Sequence, residues 1–476
     1  MTILVASCLF SACSDWLDIH PHDKVLDDKI FSSEVGIQEA LNGLYLTMGN
    51  SDLYGNYMTQ TTVEILAQRY LIETNMIDGD PNAYYLASYS YSEEAPKALF
   101  FSIWEKMYNL IFDTNYFIQK VETTNGILTA EKKRWILGEA YALRAYVHFD
   151  IFRLYGTIYS DNPDEKLVPY YDEVGVAVKR PISGTDFLKK TLEDIDLALE
   201  YLDTDPVLTK GVMVGDDYHD DFWTYRNRRM NSYAVSALKA RVLLYKGEKT
   251  EAADLASQLL QSDQIPQKFP WIDLNLVNRA LEEDYILSSE VIFGIHCGKM
   301  QELYAQKFSP GISTNAVYAI ANDNVTYMFD AGNGGIPSVS DIRTSYLSPQ
   351  MGGKKYNTVK FSRSDRETDN WYFQPLIRKS ELYYILAEVN RDIEPLNEVR
   401  VARNLLPLEG ITEDLVEEEV TKEFMKEFIQ EGQLFFYYKR KNMETIRSNS
   451  GSAYNMSANQ YVVPIPEEEL DYLITE

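Results

Sequence analysis

The sequence predicts a mostly α-helical protein: tetratricopeptide-like helix pairs form a scaffold that carries long irregular loops and a few short strands. Three observations predict it. Apolar residues recur at helical spacing over several long stretches, alanines gather where those stretches would cross, and glycine stands at their ends. The segments between them are rich in Gly, Pro, Asn, Asp, Ser and Tyr, and long loops of that kind are usually functional.

Taken in order, residues 1–12 are a short run of apolar and small residues ending in Phe10-Ser11-Ala12-Cys13. An apolar run with small residues before a cut site reads as a secretory signal. A cysteine directly after the small pair resembles a bacterial lipobox, in which Cys13 becomes the acylated N-terminus. No Lys or Arg precedes the run, so the signal reads as truncated at its start. Residues 13–30 have no helical period, carry Pro21 and read as an extended arm leading from the lipid anchor.

Residues 130–155 give the clearest helix, with one stripe through Ile136, Ala140, Leu143, Val147, Ile151 and Leu154. A second stripe runs through Ala142, Ala145, Phe149 and Phe152, so this helix is expected between neighbours. Residues 231–261 read as two helices joined at Gly247, a tetratricopeptide-like unit. A third pair is expected from Leu376-Ile377-Arg378 onward through Val401, and a further helix from Phe424 to Tyr438. Such pairs cannot bury their apolar faces alone and must stack. The organisation predicted is an N-terminal part over 31–265 and a C-terminal part over 266–476, packed as one globular unit.

Composition narrows the function classes. Hydrophobic residues make up 45% of the 476, which excludes disorder. The chain carries 72 acidic against 45 basic residues, a net charge of −27 that repels phosphate backbones and anionic headgroups. Nucleic acid is therefore not an expected partner, and membrane association is expected through the N-terminal lipid only. After residue 13 no segment reaches the ~18 consecutive apolar residues of a membrane span. With Cys8 in the signal and Cys13 acylated, only Cys297 remains, so no intramolecular disulfide is expected.

No catalytic constellation is found. The five histidines are scattered without metal-ligand spacing, there is no GxSxG or P-loop, and Cys297 reads as a buried, inert thiol. Neither an enzyme nor a cofactor is expected. Asp78-Gly79-Asp80-Pro81-Asn82 opens like a calcium loop but lacks its later glycine and terminal glutamate, so it reads as a turn. The acidic run 216–221 reads as a surface loop, and no metal site is assigned.

Aromatic density in the loops is the better lead. Tyr54, Tyr57, Tyr70, Tyr84 and Tyr85 share one polar stretch with Arg69, Asp78, Asp80 and Asn82. Sugar rings stack their apolar faces on aromatics, and their hydroxyls bond short polar side chains. These residues, with Trp371, are the candidate ligand contacts, and Trp271 is a lesser one. Trp104 and Tyr108 read as core.

Four places carry a resemblance to a known family: the Cys13 box with Asp15-Trp16-Leu17-Asp18; Glu139-Ala140-Tyr141-Ala142-Leu143-Arg144 running on to Arg153-Leu154-Tyr155-Gly156; Arg378-Lys379-Ser380-Glu381-Leu382 leading to Leu396-Asn397-Glu398-Val399-Arg400; and Glu431-Gly432-Gln433 before Val463-Pro464-Ile465-Pro466. In that order they resemble the SusD/RagB lipoproteins of Bacteroidetes. The resemblance implies an outer-membrane lipoprotein facing the cell exterior. It would bind an oligomeric nutrient, a glycan first and an oligosaccharide most simply, and act as a lid on a SusC-like TonB-dependent transporter. The alternatives are a surface glycoside hydrolase, disfavoured by the missing motifs, and a scaffold binding only protein, disfavoured by the tyrosine-rich loops.

Overall fold

The structure, a computed structural model, describes residues 29–77, 79–175, 177–213, 222–277, 284–313, 316–331, 340–350, 355–362 and 370–474. Cys13, Asp78 and the acidic run 216–221 lie outside the described residues.

Helix α1 (Glu34–Met48) begins at Ser33, whose hydroxyl accepts the Gly36 N–H at 3.1 Å. Two short helices, α2 (Thr62–Leu66) and α3 (Pro81–Ala87), lie within the tyrosine-rich polar stretch, one of the segments expected to be loop. Three long helices follow: α4 (Glu94–Thr123), α5 (Ala130–Tyr155) and α6 (Gly184–Tyr201). Every residue of α5 from Ile136 to Tyr155 is buried, because α4 and α6 cover its two apolar stripes. Its charged residues are therefore paired. Glu139 accepts from Arg226 Nη1 at 2.5 Å and from the Tyr45 hydroxyl at 2.8 Å, and Arg144 Nε donates to Asp194 of α6 at 2.8 Å.

The glycine-joined pair is α7 (Ser232–Lys246) and α8 (Lys249–Leu259). Gly247 sits between them at φ 88°, the left-handed conformation that closes a helix most cheaply when no Cβ is present. Helix α9 (Met300–Lys307) belongs to the strand-bearing region; α10 (Lys379–Asn390) and α11 (Glu394–Ala402) form the third pair. Each of α4, α5, α6, α7, α8, α10 and α11 packs on the next, a stack of the kind the repeats predicted.

The strands are short. β1 (Lys166–Val168) pairs with β2 (Ile182–Ser183), and β3 (Val291–His296) pairs antiparallel with β7 (Phe373–Arg378). A three-stranded sheet has the order β4 (Ala319–Ala321), β6 (Lys355–Thr358), β5 (Leu347–Pro349), and β8 (Thr445–Arg447) pairs with β9 (Ala453–Asn455).

Two sequence expectations are corrected. Leu376-Ile377-Arg378 ends β7 and does not open a helix; the run is buried throughout, and Pro375, which cannot donate within a helix, fits a strand there. The helix expected from Phe424 to Tyr438 is two, α12 (Glu413–Glu427) and α13 (Leu434–Arg440). Tertiary bonds break it. Glu431 accepts from Arg378 Nε at 2.6 Å and from Lys360, while the Gly432 N–H donates to Glu64 at 2.9 Å. All these groups are buried, and a continuous helix would strand their charges. The last helix is α14 (Glu467–Ile474).

Candidate functional site

The chain between α1 and α4 divides into a buried half and a surface half. Every residue from Met58 through Tyr70 is buried. Its charges are satisfied internally: Arg69 Nε meets Glu64 at 2.7 Å, and Arg69 Nη1 donates to the Met425 carbonyl at 2.7 Å. Burial pushes the Glu64 carboxyl up, further than Arg69 pulls it down. Tyr70 donates to the Gln60 carbonyl at 2.7 Å, and Tyr54 meets Tyr146 edge-on at 5.6 Å.

Tyr54, Arg69 and Tyr70 are thus enclosed by protein, and Trp371 is buried as well, with its carbonyl accepting from Gln301 Nε2 at 2.9 Å. Enclosure keeps these side chains from touching a ligand in this conformation and gives them the work of supporting the surface above. Trp271 lies under Lys379, whose Nζ sits 3.6 Å from the ring centroid.

Tyr57, Asp80, Asn82, Tyr84 and Tyr85 reach the surface to differing degrees. Asp80 organises them. Its Oδ1 caps α3 by accepting the Ala83 N–H at 3.1 Å. Its Oδ2 accepts from Lys307 Nζ at 2.5 Å and from the Tyr318 hydroxyl at 2.5 Å. Burial raises the Asp80 carboxyl, but the Lys307 and Tyr318 bonds outweigh it, and the group is held below its ordinary value. The Tyr57 phenol is pushed up by burial and then by the charges of Asp52 and Asp80, which places it in the same field.

Lys307 closes α9, and Tyr318 leads into β4, whose Ala319 carbonyl accepts the Leu71 N–H at 2.8 Å. The Tyr318 ring stacks on Tyr70 at 5.3 Å, so two buried tyrosines support the partly exposed cluster. Tyr84 and Tyr85 stand on α3 as an edge-to-face pair, 5.6 Å between centroids. Asn82 Oδ1 is shielded from solvent and has no hydrogen-bond partner.

Sequence reading missed Lys307 and Tyr318, which lie 227 and 238 residues from Asp80. No local spacing signals such a contact. The arrangement offers aromatic faces and a fixed carboxylate–ammonium pair, the elements of a binding surface. Burial pushes the Cys297 thiol well above its ordinary value. Among the described residues no group of three or more His, Cys, Asp or Glu could hold a metal ion, and no helix is long and apolar enough to cross a membrane.

Comparison with known proteins bears on this fold. A family described as "Starch-binding associating with outer membrane" matches residues 15–208. SusD-like protein P38 of Formosa agariphila is 23% identical over 461 residues, spanning 87% of this chain and 83% of the relative. A SusD superfamily protein from Bacteroides fragilis superposes with TM-score 0.68 at 20% identity, covering 94% of this chain and 100% of that one. A SusD-like carbohydrate binding protein from Bacteroides vulgatus does so with TM-score 0.62 at 16% identity, covering 92% and 96%. The family match thus covers the N-terminal part of the chain, a SusD-like relative aligns along most of its length, and the fold is shared with SusD superfamily proteins.

Proposed function

We propose that this protein is a non-catalytic cell-surface lipoprotein that binds a glycan and passes it, as a lid, to a SusC-like TonB-dependent transporter in the outer membrane. The observation that carries the binding half is the Asp80–Lys307–Tyr318 node beside Tyr84 and Tyr85. The partly exposed tyrosine faces suit the apolar face of a pyranose, and Asp80 and Lys307 offer hydroxyl partners of both polarities. The family's description as starch-binding and outer-membrane-associated supports the substrate class and the address. The Phe10-Ser11-Ala12-Cys13 box supports anchoring at Cys13.

Affinity electrophoresis of the full chain through gels containing starch, other polysaccharides or none tests the reading. Retardation by at least one glycan, with no release of reducing ends, is the expected result. Equal mobility in every gel contradicts glycan binding, and released reducing ends contradict the non-catalytic role. For the lid, detergent extraction of the native membrane should bring a barrel transporter down with this chain, and Cys13→Ala should leave it in the soluble fraction.

A further inference from the structure

Away from α3, helix α4 and the segment following β1 enclose a cleft of about 320 Å³. Its walls are aromatic. Trp104 and Tyr108 lie 4.7 Å apart at 58°, and Tyr171 meets Tyr108 edge-on at 5.5 Å and 78°. Phe112, 46% exposed, stands at the mouth. The walls are held in place: the Tyr108 hydroxyl donates to the Pro169 carbonyl at 2.9 Å, and Asn115 Nδ2 donates to the Tyr171 carbonyl at 3.0 Å. Rings at such angles enclose a volume from several sides and do not form a single flat platform.

The charge of the cleft has one sign. Glu105, Glu173 and Glu469 line it, and no Lys or Arg does. Glu173 is compensated by Lys179 at 3.2 Å, and Glu105 lies 3.7 Å from Lys106. Glu469, from α14, is different. It is half-buried against the cleft, its hydrogen-bond partner is the Trp104 indole, and among the described residues no cation pairs with it. Burial pushes its carboxyl up, the mark of a charge lacking compensation.

We propose that this cleft is a binding site for a small organic cation, a protonated amine or quaternary ammonium group. Ring faces attract a cation by their quadrupole, and the effect grows as the cation is desolvated. Glu469 supplies the counter-charge. An anion would meet three carboxylates, and a neutral sugar would leave Glu469 uncompensated. The volume lies at the small end for ligand pockets, enough for a choline-sized molecule or one amino sugar. This inference does not depend on the glycan reading of the α3 surface.

Titration calorimetry of the full chain with choline, glucosamine and glucose, at matched ionic strength, tests it. Choline and glucosamine should bind in the millimolar range or tighter, and glucose should not bind in this cleft. Glu469→Gln and Tyr108→Leu should each weaken choline at least five-fold with the thermal midpoint retained, while Tyr84→Ala should leave choline unchanged. Absence of choline binding overturns the proposal. So does choline affinity that is unchanged in both cleft variants, or a glucose affinity equal to that of glucosamine and lost in Tyr108→Leu, which would mark a sugar-stacking surface.

Discussion

Arg241 on α7 meets Glu381 on α10 through two parallel bonds, Nε to Oε1 at 2.7 Å and Nη2 to Oε2 at 2.6 Å, both residues buried. Arg241 Nη2 also donates to the Leu376 carbonyl of β7 at 2.9 Å. One guanidinium therefore joins α7 to both β7 and α10. Truncating a single partner strands a buried charge and costs on the order of 3–5 kcal/mol. Arg241→Met should lower the unfolding free energy measured in urea by that amount, and Arg241→Met with Glu381→Met should recover most of it. Equal loss in the single and double variants would show that packing, not charge, is at stake.

Acid should destabilise the C-terminal helices in a defined window. Burial alone would raise the Glu388 carboxyl, but Arg440, at 2.7 and 2.6 Å, and Lys441 outweigh it and hold the group down at about 2. Glu423, buried between Arg343 and Lys426, is likewise held at about 2. A depressed carboxyl contributes stability that is present above its unfolded value, near 4.5, and is lost as pH falls toward 2. Each such group carries on the order of 3 kcal/mol over that window. Glu388→Gln should flatten the loss of stability between pH 4.5 and 2, measured by urea unfolding at stepped pH.

Alkali should act in the opposite direction through Lys379. Burial holds its amine down at about 7, where it donates to the Phe269 carbonyl at 2.6 Å. Between about pH 7 and 10.5 the unfolded chain keeps a proton that the folded chain has released, so stability rises with pH through that range. Lys379→Met should reduce the rise between pH 7 and 9. An unchanged slope would mean that the amine stays charged in the fold.

These groups mark where sequence reading stopped. Helix α5 and the α7–α8 turn were legible because their signals are local: two apolar stripes at helical spacing, and Gly247 at the one left-handed position between two helices. The break between α12 and α13 was not, because it is made by Arg378, Lys360 and Glu64, all distant in sequence. The candidate surface divides in the same way. Asp80, Tyr84 and Tyr85 were legible as a polar, tyrosine-rich stretch opening at Pro81. Arg69 looked like a ligand contact until Glu64 and the Met425 carbonyl enclosed it, and Lys307 and Tyr318 carried no local sign of their partner.

The account turns on the α3 surface being the place where glycan binds. Calorimetry of the wild-type chain, Tyr84→Ala/Tyr85→Ala and Asp80→Ala against the glycan that retards the wild type in gels tests it most directly. Removing stacking aromatics at the centre of a site typically costs 2 kcal/mol or more, about thirty-fold in affinity. The account predicts that loss in the tyrosine pair variant, and a smaller one in Asp80→Ala, with the thermal midpoint of the pair variant retained. Wild-type affinity in both variants would contradict it.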